Sequence, residues 1–345
     1  MSFEPISKRH FGQLRDGRDA ELYTLTNRNG ARVALSNYGS VITDIQMPDR
    51  YGRLGGVVLN YPSLGAYEDD ELAIGAFVGR FANRIAGGLF SIDGVTYQLP
   101  LNHGAHHIHG GINGFGKQLW SAEPQAGEGY ASIILRRCSE AGEEGYPGTL
   151  ELEVIYTLND SNALTMDVRA TTDHPTVVNV TQHSYFNLAG DARSVLGHQL
   201  FVDADEVLPI DTDLIPTGQA CSVEGTPFDF RRPKAIGQEI DAANQQLAYG
   251  QGYDHCFVLN VGDGPAARLT DPVSGRVLLV YTDQPGMQVY SGNWLCGPFT
   301  PRSGLCLETQ HFPDSPNHAG FPTTVLRPGQ VFQTRTRFQF DVKKD

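Results

Sequence analysis

Two titratable side chains lie inside apolar or aromatic stretches of the sequence, where burial of a charge is costly. Glu308 lies in the apolar segment 304–310, and His183 lies in the segment 180–187, which also holds a tyrosine and a phenylalanine. Burial raises the pKa of an unpaired carboxyl group, so a glutamate in such a strand either pairs with an arginine or takes part in chemistry. An isolated histidine in such a place is more often a satisfied core residue.

Other polar residues in the sequence could complete a site around Glu308. Arg80 and Arg84 are its possible ion-pair partners, and Asp254 precedes another apolar segment. Together with His183 and several amide side chains, these residues suit proton transfer on an uncharged, polyhydroxylated ligand. Sugars offer hydroxyl groups to carboxylates and amides, and apolar C–H faces to aromatic rings.

A cluster of histidines raises the question of a metal site. Four histidines fall within seven residues: His103, His106, His107 and His109. His107 and His109 would share one face of a strand, as metal ligands often do. A cupin-type site would add a glutamate three or four residues later, but isoleucine and asparagine occupy positions 112 and 113. We therefore predict no metal here, and the adjacent Gly110-Gly111 predicts a sharp turn or a close backbone approach.

Two further motifs are weak. Residues 262–267 read Gly-x-Gly-x-x-Ala after an apolar strand, but a turn and a second strand follow rather than the helix that a dinucleotide site needs. We interpret this segment as part of a hairpin. The sequence also lacks a Gly-x-Ser-x-Gly motif, so a hydrolytic serine is not predicted.

Composition narrows the class of protein. The chain has 345 residues, with 26 Lys and Arg against 39 Asp and Glu, which gives a net charge of −13. Such a chain repels nucleic acid, and no apolar run is long enough to predict a membrane span. The first ten residues do not read as a signal peptide. The five scattered cysteines predict free, buried thiols in a cytoplasmic protein.

The elements that must position these residues are strands. Residues 332–342 alternate between apolar or threonine residues on one face and polar residues on the other, which is typical of a half-buried antiparallel strand. Segment 150–170 predicts a hairpin, and 256–261 and 276–283 predict further strands. Segment 234–247 is open to a short helix or a loop. We predict an all-β fold, a large antiparallel sandwich or barrel, as a single domain over 1–345.

These residues together resemble the aldose 1-epimerase (galactose mutarotase) family over nearly the whole chain. Six segments carry the resemblance, in the family's order: Gly79-Arg-Phe-Ala-Asn-Arg-Ile85, Ile108-His-Gly-Gly111, Gln182-His-Ser-Tyr-Phe-Asn-Leu188, Tyr253-Asp-His255, Pro285-Gly-Met-Gln-Val-Tyr290 and Leu307-Glu-Thr-Gln310. The resemblance implies an all-β supersandwich, the galactose mutarotase-like antiparallel β-sandwich.

The resemblance also implies residue roles. Glu308 matches the family's general base and His183 its general acid. The sugar would be held by the remaining matched residues: Asn83, Arg84, His109, Asp254 and Gln288. The implied reaction interconverts the α and β anomers of a free aldose without a cofactor or a metal, in a monomer or homodimer. We expect an ionised Glu308, favoured by Arg84, beside a protonated His183.

Some positions depart from the family pattern, and rival functions remain open. The departures at 105–107, Gln182, Cys256 and Trp294 concern the wall of the site, so the preference among glucose, galactose, xylose and arabinose is undetermined. A glycoside hydrolase would use Asp254 and Glu308 as its two carboxylates. A sugar-phosphate epimerase would need a cationic pocket, for which Arg80, Arg84 and Arg302 are candidates. A non-catalytic sugar sensor is the third alternative.

Overall fold

Antiparallel strands form most of the regular structure. The computed structural model describes residues 4–191 and 193–343, and every ladder between its named strands is antiparallel. Three larger sheets contain 9, 6 and 5 strands, and the remaining strands form two-stranded pairs. The predicted all-β class is confirmed.

The large sheet contains both of the strand patterns that were clearest in the sequence. Its strands, in spatial order, are Ser121–Gly127, Tyr130–Ser139, Leu150–Asn159, Ala163–Thr172, Phe332–Val342, Arg276–Thr282, Ala267–Thr270, Gln199–Val202 and Lys234–Ala235. The predicted hairpin over 150–170 and the strand over 332–342 are therefore confirmed, and the two predicted elements are neighbours in this sheet.

The six-stranded sheet carries residues of four of the six segments singled out in the sequence. Its strands, in spatial order, are Tyr185–Phe186, Leu305–Gln310, Gly286–Tyr290, Asp254–Val258, Glu206–Val207 and Cys221–Ser222. The five-stranded sheet is a simple meander. It contains Ile6–Gln13, Asp19–Thr26, Arg32–Ser36, Ile42–Pro48 and Leu54–Gly56.

Short strand pairs and helices connect these sheets. The pairs are Phe77–Val78 with Thr181–Gln182, Arg84–Ile85 with His107–Ile108, Leu89–Ile92 with Val95–Gln98, and Thr176–Val177 with Val325–Leu326. The α-helices are Leu64–Glu68 and Gln245–Gly250. The 3₁₀ helices are Ala86–Gly88, Phe115–Lys117, Glu143–Gly145, Val195–Gly197, Ile236–Gln238 and Ser315–Asn317.

One apolar cluster lies between the sheets. It combines Val168 and Phe338 of the large sheet with Leu307 of the six-stranded sheet and Leu35 of the five-stranded sheet. Phe186 and Phe338 meet across the layers with ring centroids 5.5 Å apart. The large sheet thus has its inner face covered by the two smaller sheets, as in a sandwich, because each half-apolar sheet must bury that face against another layer.

Two sequence interpretations need correction. The segment at 262–267 is not a hairpin turn: it joins Asp254–Val258 of one sheet to Ala267–Thr270 of another, and the hairpin turn follows at 271–275. No helix follows it, so the rejection of a dinucleotide site stands. Segment 234–247 forms a short strand and a 3₁₀ turn, and its helix begins only at Gln245, where the Asn244 side chain accepts the first free backbone N–H groups.

We expect Phe338→Ala to lower the free energy of unfolding by about 3–5 kcal/mol, because it opens a cavity between the two layers. Gln333→Ala, on the exposed face of the same strand, should change it by no more than about 0.5 kcal/mol. Urea denaturation followed by circular dichroism measures both. Equal losses for the two variants would contradict this packing.

Candidate active site

The outer face of the six-stranded sheet is polar, whereas its inner face is apolar. Leu305, Leu307 and Thr309 point inward along their strand, so Cys306, Glu308 and Gln310 point outward. The neighbouring strands follow the same alternation. The side chains that share this polar face are Tyr185, Asp254, Cys256, Gln288, Tyr290, Cys306, Glu308 and Gln310. Strand periodicity therefore separates the core from the candidate site.

Glu308, Gln288 and Asp254 are brought together by strand register. Gln288 lies directly opposite Glu308 on the adjacent strand. Asp254 lies on the next strand, diagonal to Gln288, and its Oδ1 accepts a 2.7 Å hydrogen bond from Gln288 Nε2. All three side chains are buried. The bond to Asp254 fixes the orientation of the Gln288 amide, so its carbonyl oxygen remains as a hydrogen-bond acceptor.

His183 lies over the same face and contacts Glu308. Its Nε2 is 3.6 Å from Glu308 Oε1, and neither side chain is more than 5% exposed. Its Nδ1 is 3.6 Å from the Cys306 Sγ. The ring packs against Tyr185 at a centroid distance of 5.0 Å, and Tyr185 packs against Tyr290 at 6.0 Å. An aromatic wall thus holds the imidazole beside the carboxyl group.

His109 reaches the site from a loop, and it contacts His183 edge to face at a centroid distance of 5.2 Å. It is tied to Asn83 by two bonds: His109 N donates to the Asn83 carbonyl at 3.1 Å, and Asn83 N donates to His109 Nδ1 at 3.2 Å. Because Nδ1 accepts, the proton of the neutral ring lies on Nε2. Both residues have left-handed backbones, with φ of 53° and 62°.

Gly110 allows the His109 loop to approach the chain at Gly79. Its φ is +82°, and a Cβ on Gly110 would lie 1.9 Å from the Gly79 carbonyl oxygen. The close approach expected from Gly110-Gly111 is confirmed. Glu144 holds the far side of this loop, since its carboxylate accepts from the backbone N–H of Ile112 at 3.2 Å and of Asn113 at 3.0 Å.

Arg84 provides the positive charge of the site. It lies in a short strand opposite Ile108, next to Asn83, and its Nη1 donates to Asn83 Oδ1 at 3.4 Å. The Arg84 Nε is buried and has no hydrogen-bond partner among the described residues. The same is true of Gln288 Oε1 and Glu308 Oε2. Buried polar atoms without partners are costly, so these three atoms mark a place where a polar ligand would be satisfied.

Burial dominates the protonation of the site. It raises the pKa of Glu308 well above its usual range, the nearby Asp254 charge raises it further, and Arg84 acts in the opposite direction. Burial also raises the pKa of Asp254, against Arg84 and the Gln288 hydrogen bond. Burial lowers the pKa of His183 to about 4. Burial thus opposes the expected ionised Glu308 and protonated His183, and favours the uncharged form of each group.

Two arginines lie away from this site. Arg80 is buried elsewhere, donating to the Pro147 and Gly148 carbonyls at 2.8 Å each, and Arg302 donates to Asp241 at 3.1 Å on the surface. Arg80 is therefore wrong as a partner for Glu308. A phosphate pocket was considered for Arg80, Arg84 and Arg302, and of these three only Arg84 lies beside the candidate site residues.

The histidine cluster is dispersed. His107 contacts the Tyr146 hydroxyl at 2.7 Å, His106 lies 3.6 Å from an Asp213 carboxylate oxygen, and His109 points to His183. The expectation that His107 and His109 share a strand face is wrong, because the strand ends at Ile108 and the backbone turns left-handed at His109.

Sequence reasoning missed three residues that line the site: Tyr185, Tyr290 and Cys306. Period-2 alternation could have found two of them, since Cys306 lies two residues before Glu308 and Tyr290 two residues after Gln288.

The five cysteines are free. The prediction of burial is wrong for three of them: Cys138, Cys221 and Cys296 are exposed. Cys138, for example, lies opposite the exposed Glu151 in its ladder.

Comparison with known proteins agrees with this fold. The protein resembles the solved structure of a galactose 1-epimerase from Lactobacillus acidophilus, with a TM-score of 0.90, 30% identity and coverage of 98% of this chain and 99% of that one. It is 40% identical to galactose mutarotase from Bos taurus over 348 residues, covering 98% and 99% of the two chains. It is 38% identical to an aldose 1-epimerase from Escherichia coli over 337 residues, covering 94% and 96%.

The galactose mutarotase fold and these relatives define the chain as an epimerase, an isomerase of carbohydrate metabolism. The family model for aldose 1-epimerase matches residues 21–339. The chain belongs to the aldose 1-epimerase family. Within the described residues, no helix is long and apolar enough to span a membrane.

We expect Gly110→Ala to lower the free energy of unfolding by about 1–3 kcal/mol more than Gly104→Ala does. Both glycines have a positive φ, but a Cβ on Gly104 would meet nothing within 4 Å, so only Gly110→Ala adds a clash to the backbone strain. Urea denaturation of the two variants isolates the clash. Equal losses would show that the loops do not approach as described.

Proposed function

We propose that Glu308 and His183 are the base and acid that open and reclose the ring of a free aldose. The observation that carries the proposal is their geometry: Glu308 Oε1 and His183 Nε2 lie 3.6 Å apart, both buried, above a polar sheet face. Two groups at this spacing can each reach one of the two oxygens bonded to C1 of the sugar. Membership of the aldose 1-epimerase family supports the same reaction.

The reaction needs two proton transfers and no redox change. Glu308 takes the proton of the C1 hydroxyl while His183 gives a proton to the ring oxygen, and the bond between C1 and that oxygen breaks. The open aldehyde turns about C1–C2, and the transfers reverse on the other face of the carbonyl. Each positioned acid or base is worth about 10²–10⁴ in rate. A metal or a cofactor has no step to perform in this scheme.

The uncharged pair that burial favours is compatible with this mechanism. A protonated Glu308 beside a neutral His183 holds the same number of protons as an ionised Glu308 beside an imidazolium. Moving one proton from Glu308 to His183 produces the reactive pair without exchange with solvent. Burial favours the uncharged form, whereas Arg84 and the hydroxyl groups of a bound sugar would stabilise the carboxylate.

The other site residues are proposed to hold the sugar. Asp254 would accept a hydrogen bond from a sugar hydroxyl, the free carbonyl oxygen of Gln288 would accept another, and His109 would donate from Nε2. Arg84 and Asn83 would complete the set, since Arg84 Nε is buried without a partner among the residues that the structure describes. Hydrogen bonding to a ligand would remove the cost of these unsatisfied atoms.

We further propose that residues 1–345 act as one catalytic domain, as a monomer or homodimer, because the seven proposed site residues converge on one site. Free thiols support a cytoplasmic location. A galactose substrate is supported by the names of the relatives, galactose mutarotase and galactose 1-epimerase. A neutral aldose also fits the charges of the site. Among the described residues, Arg84 is the one cation near Glu308 and Asp254, and it acts on both carboxyl groups, so it is not free to bind an anionic sugar.

Glu308→Gln should reduce the enzyme-catalysed rate by about 10²–10⁴, because the amide cannot accept the C1 proton. Polarimetry on freshly dissolved α-glucose or α-galactose measures the rate, and circular dichroism checks that the fold is intact. Glu206→Gln, an exposed position in the same sheet, is the matched control and should retain full activity. An unchanged rate for Glu308→Gln would refute the assignment.

The dependence of kcat/KM on pH should have its acid limb near pH 4. Below that pH, His183 takes up a second proton, so the pair holds two protons and no base remains. Above it the pair holds one proton, and kcat/KM should be level over roughly pH 5–7. Initial rates corrected for uncatalysed mutarotation test this. An acid limb near 6.5, the ordinary pKa of histidine, would contradict burial as the controlling influence.

A further inference from the structure

Cys306 is a buried donor at the active site to which the proposed reaction gives no task. Cys306 lies two residues before Glu308 on the same sheet face, and its Sγ is 3.6 Å from His183 Nδ1. The thiol is fully buried and takes part in no disulfide. One ligand atom from each of Cys306, His183 and Glu308 can be chosen so that all three lie within 4.8 Å of one another.

This cluster combines a sulfur, an imidazole nitrogen and a carboxylate oxygen. That is a donor set which Zn²⁺ accepts, whereas Mg²⁺ and Ca²⁺ prefer oxygen ligands. Among the described residues, it is the one group of three such side chains close enough to hold an ion. Glu308 Oε2 is buried without a hydrogen-bond partner, so an acceptor with a free lone pair already lies at the cluster.

We propose that Cys306, His183 and Glu308 form a binding site for a thiophilic divalent cation, Zn²⁺ or Cd²⁺, which blocks the active site. The inhibitory consequence rests on the proposed function, since the ion would occupy both the base and the acid. Sugar and metal would then compete for the same two side chains. Three protein ligands leave a fourth position for water or a small ligand.

The geometry requires an adjustment, because the three ligand atoms are within 4.8 Å of one another rather than at coordination spacing. Tetrahedral coordination at bond lengths of about 2.0–2.3 Å separates the ligand atoms by about 3.3–3.8 Å. The 3.6 Å distances from His183 to Glu308 and to Cys306 are in this range, but they involve different ring nitrogens. A single ion needs one nitrogen, so the His183 ring must turn toward both partners.

The charges around the cluster permit binding. A thiolate and a carboxylate balance the two positive charges of the ion, and the protons of the Cys306 thiol and of the Glu308 carboxyl group pass to the solvent when the metal–ligand bonds form. Asp254 adds attraction from one side, while Arg84 opposes it from the other. Cys306 is the one sulfur ligand of the proposed site. Its loss should weaken binding of the ion more than loss of an exposed cysteine does.

The test uses Cys306→Ser, which keeps the size of the side chain but removes the soft ligand. The parent chain lacks the exposed thiols, which are removed by Cys138→Ser, Cys221→Ser and Cys296→Ser. Cys306→Ser is added to this parent, and Cys256→Ser in the same parent is the matched buried control. Inhibition of galactose mutarotation by ZnCl₂ is measured for each variant relative to its own metal-free rate, with MgCl₂ as the control salt.

We expect Zn²⁺ inhibition to be competitive with the sugar. Its inhibition constant should rise by at least about 10–100-fold in Cys306→Ser but not in Cys256→Ser, because losing a ligand costs no less affinity than losing a residue that only orients a ligand. Mg²⁺ should not inhibit. An inhibition constant that is the same in Cys306→Ser and its parent, or inhibition that galactose does not relieve, would overturn the proposal.

A second measurement does not depend on activity. Cd²⁺ bound to a thiolate gives an ultraviolet charge-transfer band, which we expect in the parent chain and in Cys256→Ser but not in Cys306→Ser. If Glu308→Gln retains turnover, the acid–base assignment fails, yet the Cd²⁺ band still tests the metal site. If the band is absent from the parent, the metal site fails and the acid–base assignment is unaffected.

Discussion

The structure depends on one constraint, the alternation of side chains along the strands of the six-stranded sheet. Leu305, Leu307 and Thr309 must face the large sheet, and this forces Cys306 and Glu308 to face outward. A shift of register by one residue would place Glu308 in the apolar core. The packing that stabilises the sandwich therefore also aims the carboxyl group at His183.

The outward face of the six-stranded sheet is polar but nevertheless buried, and burial of polar groups controls the pKa values at the site. The loop that carries His109 and the short strand that begins at Arg84, next to Asn83, cover the sheet, so Glu308 and His183 lose contact with water although they do not belong to the core. Desolvation then moves the pKa of each group toward its uncharged form. The same burial favours one shared proton on the pair, and it leaves acceptor atoms that a sugar hydroxyl or a thiophilic cation can satisfy.

The two left-handed residues show how the covering loops are held. Asn83 and His109 have positive φ, and each donates a backbone N–H to the other residue. Such strain persists only where the surroundings determine it. Here the Glu144 carboxylate and the close passage of Gly110 at Gly79 hold the loop. The His109 ring is thereby placed in one tautomer with its donor directed away from Asn83.

The amino-acid sequence determined the strand-rich class and the clearest strands, and it indicated the candidate site residues, because period-2 patterns and local motifs are properties of neighbouring residues. Phe332–Val342 and the 150–170 hairpin follow directly from such patterns. Only the tertiary structure decided that Arg84 rather than Arg80 lies beside Glu308, and that Cys306 touches His183. It also decided the direction in which burial shifts the pKa of each member of the pair. Residues 183 and 308 are distant in the chain, and their separation and loss of water arise only when the layers and loops pack together.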